Sequence, residues 1–143
     1  MVRTHGVAVM ALIGALCGCG DLPRDPEKTL IRVQSAKIIR LGMVAGAPQD
    51  PAAQAALALL AQSTGARIVR SEGHAEELLE GLEEGEFDIV FGQFADDSPW
   101  ATHVHLGTPP AGPDKPPKSQ RVARFAFRNG ENAWIKTVEE AAR

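Results

Sequence analysis

The chain has 143 residues, of which 44% are hydrophobic and 23% charged, with 15 Lys and Arg against 18 Asp and Glu. This composition is typical of one globular domain and excludes disordered, collagen-like and polytopic membrane proteins. A net charge of −3 with scattered basic residues excludes a nucleic-acid-binding surface, and the length excludes a clamshell of two domains, since each domain needs about 100 to 150 residues.

The first residues have the order of an export signal. Arg3 supplies a basic start, residues 7–16 form an apolar run too short to span a bilayer, and small residues follow. The segment Leu16-Cys17-Gly18-Cys19 resembles a bacterial lipobox. The resemblance implies a lipoprotein signal peptide over residues 1–18 and a lipid on Cys19, while an ordinary secretory signal is the alternative.

The number and position of the cysteines favour a lipoprotein signal over an ordinary secretory signal. Cys19 is the one cysteine after the implied cleavage point, so the domain has no internal disulfide, and a lone exported thiol is unusual unless it is modified. If the lipobox chemistry applies, several acyl chains hold the protein on the membrane, where a single chain is marginal. We expect residues 19–24 to be a tether, because they contain Gly and Pro and no periodic apolar pattern.

The rest of the chain alternates between predicted strands and helices. Asp25-Pro26-Glu27 predicts a short helix with Asp25 as its N-cap, and Asp50-Pro51 predicts a second helix that ends near Gly65. The other predicted elements are strands at residues 38–44, 66–70 and 87–91, a helix at 74–84, a weak strand at 104–107, a strand at 121–127 and a helix at 132–142.

This order predicts an α/β fold. The first three strands, joined by helices, should be parallel, with the first strand between the other two. The result is a single open, mostly parallel sheet with helices on both faces, spanning residues 25–143. Residues 108–119 contain five prolines among twelve residues and are predicted to form an irregular connector.

Several segments, in order, resemble lobe one of the bacterial extracellular solute-binding proteins of family 3, the periplasmic amino-acid-binding type. Residues 121–143 resemble the segment by which that family returns to lobe one after lobe two. The resemblance implies the fold of lobe one of a type II periplasmic binding protein, with the connector standing where lobe two is inserted. The segments that carry it are the Asp25-Pro26-Glu27 helix start, the strand at 38–44, Gly65-Ala-Arg-Ile-Val, the helix at 76–82, Gly85-Glu-Phe-Asp-Ile-Val-Phe-Gly, Asp97-Ser-Pro-Trp and Val104-His-Leu-Gly-Thr-Pro.

The chain departs from that family at the ligand contacts. The family carries a Thr-x-x-Arg-like motif after the third strand, whose arginine grips the ligand carboxylate. Here Ala101 stands where that arginine is expected, and residues 45–48 lack the aromatic side chain that often covers the ligand. A single lobe also leaves one side of a small ligand uncovered, whereas a clamshell closes over it.

In an open α/β sheet, ligands bind beyond the carboxyl ends of the strands, which are here the loops at 45–50, 71–73 and 92–100. The alternative for the third loop is that Asp97-Ser98-Pro99 caps a turn with Trp100 packed beneath it. The candidate ligand-binding residues are Ser71, Gln93, Phe94, Asp96, Asp97, Ser98 and Trp100.

The sequence offers only weak support for metal binding or catalysis. His103 and His105 share one face of a short strand and would need Asp96 or Asp97 to hold a metal, so we expect a solvated sheet edge there, with no metal and no cofactor. We predict no enzyme, because the motifs of serine hydrolases, zinc peptidases and phosphate-binding loops are missing. The glutamates at 72, 76, 77, 80, 83, 84 and 86 are predicted to form the solvated face of a helix.

The sequence thus predicts a lipid-anchored domain on the periplasmic or cell-surface side of a membrane. It would bind a small polar solute or assist transport, with a membrane transporter such as an ABC transporter, or another protein, as partner. The alternative is a non-catalytic interaction or regulatory domain for a membrane partner that has lost ligand binding.

Overall fold

A computed structural model of the chain describes residues 25–143, so the predicted signal peptide, Cys19 and the predicted tether lie outside the described residues. Within residues 25–143, no helix is long and apolar enough to cross a membrane. The helices are α1 (Thr29–Ala36), α2 (Pro51–Thr64), α3 (Ala75–Glu84) and α4 (Asn132–Ala141), with a 3-10 turn at Pro99–Thr102. The strands are β1 (Ile38–Val44), β2 (Arg67–Gly73), β3 (Ile89–Phe94), β4 (Val104–Leu106) and β5 (Val122–Arg128).

The five strands form one open sheet in the order β2-β1-β3-β5-β4. β1 pairs in parallel with β2 and β3, while β5 pairs antiparallel with β3 and β4. Four strands therefore run in one direction and β5 runs against them. The predicted sheet, mostly parallel and with the first strand between the next two, is confirmed.

Helices cover both faces of the sheet, as predicted. α1, α2 and α4 bury one face around Leu41, Phe91 and Trp134. α3 buries the other face by packing Leu79 and its neighbours against Val90 and other side chains of the sheet. Because both faces are covered, β1 and β3 are rich in apolar residues rather than alternating.

The Asp-Pro signal of α2 works as predicted. The Asp50 side chain lies just before the helix, and its Oδ1 accepts hydrogen bonds from the backbone N–H groups of Ala52 (2.9 Å) and Ala53 (3.2 Å). The helix ends at Gly65, whose φ of 65° lies in the left-handed region that glycine adopts without strain.

The predicted start of α1 at Asp25 is wrong. α1 begins at Thr29, and the Asp25 carboxylate instead accepts a hydrogen bond from the Ala133 N–H in the first turn of α4 (2.8 Å). In return, the Glu131 carboxylate accepts hydrogen bonds from the N–H groups of Glu27 and Thr29, both at 2.8 Å. Each helix therefore takes its N-terminal cap from the segment before the other helix.

Two strands run further than predicted. β2 extends to Gly73 because its pairing with β1 continues to the end of that strand. β3 extends to Phe94 because β5 pairs with it along that length, a contact that local sequence does not reveal. Gln93 and Phe94 are therefore strand residues rather than loop residues.

Candidate functional site

The chain makes a tight turn directly after β3. The Ser98 N–H donates to the Ala95 carbonyl (3.1 Å), and the Ser98 Oγ accepts from the Trp100 N–H (3.3 Å) at the start of the 3-10 turn. Ser98 is thus a capping residue, and the turn holds Trp100 half-buried against the α3 side of the core. Its indole lies at the carboxyl end of β3, where ligands of such sheets bind.

A cavity of about 450 Å³ lies beside this turn, and we call it the α3–β3 pocket. Its apolar side chains include Leu79 and Phe94, which are buried, and Trp100. The polar side chains of Gln93 and Ser98 also line it. The volume lies within the range of about 300 to 1,000 Å³ that small-molecule sites occupy.

The pocket is lined by charged groups of both signs. Glu76 comes from the first turn of α3, Asp97 from the turn after β3 and Arg121 from the residue before β5. The ion pairs among residues 25–143 involve other side chains, so these three groups have no ionic partner in the described structure. Two unpaired carboxylates and one unpaired guanidinium around an apolar base can hold a small solute that carries both charges.

Asp96 is adjacent to the pocket residues but forms an ion pair with Arg124 instead of lining the pocket. Its Oδ1 accepts a hydrogen bond of 2.5 Å from Nη1 of Arg124, a β5 residue that is only 3% exposed. Nε and Nη2 of Arg124 have no hydrogen-bond partner among the described residues. A buried guanidinium with unmet donors is costly, so its one strong contact, to Asp96, fastens the turn after β3 to β5.

The structure divides the residues predicted from sequence. Gln93, Phe94, Asp97, Ser98 and Trp100 line the α3–β3 pocket together. Ser71 lies in a separate cavity of about 320 Å³ between the ends of β1 and β2. Four further lining residues were not predicted, because they come from segments distant along the chain: Glu76, Leu79, Ser119 and Arg121.

The two histidines are engaged in local contacts. Nδ1 of His103 lies 3.2 Å from Oε1 of Glu83, and its ring meets the edge of Trp100. His105 packs beside Phe127, with ring centroids 6.1 Å apart. Throughout residues 25–143, no three His, Cys, Asp or Glu side chains form a group that could hold a metal ion.

A larger cavity, of about 510 Å³, lies between the connector and the end of α4. Its lining includes Pro109, Pro110 and Glu139 but no aromatic side chain. Oε1 of Glu139 already accepts a hydrogen bond from the Thr108 N–H (3.2 Å). The smaller α3–β3 pocket is the better candidate, because it has an aromatic wall and lies at the carboxyl end of β3, where ligands of such sheets bind.

Neither a family model nor a curated protein sequence matches the chain. Solved structures do match it. Domain 1 of TmArgBP in its arginine-bound form aligns with a TM-score of 0.64 and 13% identity, over 78% of this chain and 96% of that one. Tv2483 bound to L-arginine aligns with a TM-score of 0.61 and 11% identity, over 79% and 86% of the two chains.

A third structure is the ancestral amino acid-binding protein AncCDT-1, described as a precursor of cyclohexadienyl dehydratase. It aligns with a TM-score of 0.54 and 13% identity, over 79% of this chain and 96% of that one. At these identities the likeness concerns the fold. The chain has the fold of domain 1 of the solute-binding proteins, as the sequence resemblance implied.

Proposed function

We propose that this chain, with the fold of a solute-binding protein domain, binds a small zwitterionic solute of the amino-acid class in the α3–β3 pocket. The observation that carries the proposal is the set of unpaired groups Glu76, Asp97 and Arg121 around an apolar base. The carboxylates suit an ammonium group and the guanidinium suits a carboxylate. Two of the similar structures hold arginine, which supports this ligand class.

Binding should be visible as stabilisation of the folded chain. We expect at least one of the standard amino acids to raise the melting temperature, because a ligand at 100 times its Kd adds about 2.7 kcal/mol to the free energy of unfolding. The Asp97→Asn variant should bind that amino acid more weakly, since the substitution removes a carboxylate of the pocket. Asp114→Asn is the matched control, because Asp114 is exposed on the connector and outside this pocket.

If no amino acid shifts the melting temperature of the unaltered chain, the proposal is wrong. The second candidate function, a non-catalytic interaction or regulatory domain, would then be favoured. It is also the function that Ala101 suggests, because the arginine expected at that place by resemblance is missing. Crosslinking in native membranes followed by mass spectrometry would then identify the protein partner.

We further propose that the domain of residues 25–143 is exported and held on a membrane through a lipid on Cys19, with residues 19–24 as its tether. The position of Asp25 shows where the proposed tether would join the domain. Its bond to Ala133 holds it at the start of α4, beside the edge at which the parallel strands begin. The α3–β3 pocket lies at the opposite edge of the sheet, so attachment through residues 19–24 would not cover the pocket.

The anchor has a direct test. Cys19→Ala should move the protein from the membrane fraction to the soluble fraction of the exporting cell, because the lipid has no other thiol to bind in the mature chain. Cys17→Ala is the matched control and should leave the fractionation unchanged. Retention of the Cys19→Ala protein in the membrane fraction would contradict the lipid anchor without affecting the proposed ligand.

A further inference from the structure

The proline-rich connector, residues 108–119, is fixed to the turn that carries the candidate site. The N–H of Asp97 donates a hydrogen bond to the Lys118 carbonyl (3.1 Å), which joins the end of the connector to the wall of the pocket. Pro116 is buried, and a further hydrogen bond from the Gln120 N–H to the Pro117 carbonyl (2.9 Å) closes a turn before β5. Proline also restricts the backbone, so this end of the connector is held in one conformation.

This attachment and the pairing of β5 with β3, which sets Val122 opposite Phe94, bring two residues from this part of the chain to the α3–β3 pocket. Ser119 and Arg121 line it together with the turn after β3. Arg121 is the one basic residue among the described lining residues. Arg124, which is also close to the turn after β3, is buried, is bound to Asp96 and does not line the cavity.

The guanidinium of Arg121 is available for a ligand. It makes no ion pair with any of the residues 25–143, and its residue is exposed. Arginine differs from lysine in presenting a planar fork of N–H donors, which matches both oxygens of a carboxylate. A carboxylate that enters the pocket therefore has one partner of suitable geometry and charge.

We propose that Arg121 determines the specificity of the pocket by binding the carboxylate of the solute, and that the end of the connector and the pairing of β5 with β3 together fix the backbone from which its side chain extends. This inference rests on the proposed function. The segment that leads into β5 thus supplies, from within a single lobe, a cationic contact for a ligand in the pocket. Because this backbone is already held by hydrogen bonds, binding has to order only the side chain of Arg121.

The test compares ligands and variants in one calorimetric series. The probes are the amino acid that stabilises the unaltered chain most and the carboxamide of that same amino acid, which lacks the negative charge. We expect the unaltered chain to bind the amino acid at least about tenfold more tightly than its carboxamide, since a charge-assisted bond is worth about 1.5 to 3 kcal/mol. Arg121→Ala should lose this preference, and Arg121→Lys should keep part of it.

Lys118→Ala is the matched control. It removes one positive charge from the same segment, leaves the carbonyl that bonds to Asp97 and should retain the preference for the carboxylate. The ligand-free melting temperature of Arg121→Ala should stay unchanged, because the side chain is exposed and unpaired. If Arg121→Ala keeps the tenfold preference, the role of Arg121 is wrong while the proposed function stands. If the unaltered chain binds no amino acid, both are wrong.

Discussion

Asp88→Asn should lower the free energy of unfolding by about 2 to 4 kcal/mol, because it removes a charge on which four hydrogen bonds converge. The Asp88 side chain is 0% exposed. Its Oδ1 accepts from Nη2 of Arg32 (2.6 Å) and Nη2 of Arg40 (2.7 Å). Its Oδ2 accepts from the N–H of Arg40 (2.7 Å) and from Nε of the same residue (3.3 Å).

The size of the loss depends on what happens to the two arginines. Breaking a fully buried ion pair costs about 3 to 5 kcal/mol, because a charge is left without solvent or partner. Here the side chains of Arg32 and Arg40 are 38% and 35% exposed, so water can partly replace the carboxylate. The asparagine also keeps one acceptor oxygen, and we therefore expect a loss of about 2 to 4 kcal/mol, below that of a fully buried pair.

Urea unfolding followed by tryptophan fluorescence would measure the loss, since the Nε1 of Trp134 donates to the Asp88 carbonyl (2.8 Å) and senses this region. Glu140→Gln is the matched control. It neutralises the partner of Lys136 in an exposed pair, where an effect of no more than about 0.5 kcal/mol is expected. Equal midpoints for Asp88→Asn and Glu140→Gln would contradict the role given to Asp88.

The same variant separates stability from binding. Asp88 lies just before β3, whereas the pocket lies at the carboxyl end of that strand. The affinity for the solute should therefore be unchanged at a temperature where the variant is still folded. A loss of affinity equal to that of Asp97→Asn would show that the two ends of β3 are coupled.

Local signals in the sequence were sufficient for most of the fold. The start of α2 was predictable because Asp50 and Pro51 act on the helix that they immediately precede. The start of α1 was not, because Asp25 carries the same signal but bonds to Ala133, which is 108 residues away. A carboxylate accepts from whichever free helix N–H lies nearest in space, and sequence order does not reveal that distance.

In the candidate site, too, local features could be predicted from sequence and contacts between distant segments could not. The turn after β3 was predictable because Asp97, Ser98 and Trp100 are adjacent in the chain and follow a strand. Which of the two neighbouring aspartates faces the pocket was not predictable, since it depends on the bond between Asp96 and the buried Arg124. Arg121 was missed because it is brought to the pocket by the pairing of β5 with β3 and by the bond between Asp97 and Lys118, which local sequence does not reveal.

Glu131→Ala should destabilise the domain by about 3 kcal/mol or more, because two backbone N–H groups lose a charged acceptor at once. Glu131 is 1% exposed, and its two carboxylate oxygens accept separately from Glu27 and Thr29 at the start of α1. The negative charge of Glu131 at the N-terminus of α1 also interacts favourably with the dipole of that helix. The variant leaves these N–H groups without a protein partner.

Because α1 and α4 each receive a cap from the segment before the other helix, we expect the two caps to be energetically coupled. Asp25→Ala removes the reciprocal bond to Ala133 and should cost about 1 kcal/mol, the usual value for an N-cap. Because Asp25 and Glu131 belong to one contact between the same two segments, the double variant should lose less than the sum of the single losses. Urea unfolding of the four proteins gives this coupling, with Glu140→Ala as an exposed control. Additive losses would mean that the two caps act independently, which would contradict the coupling expected here.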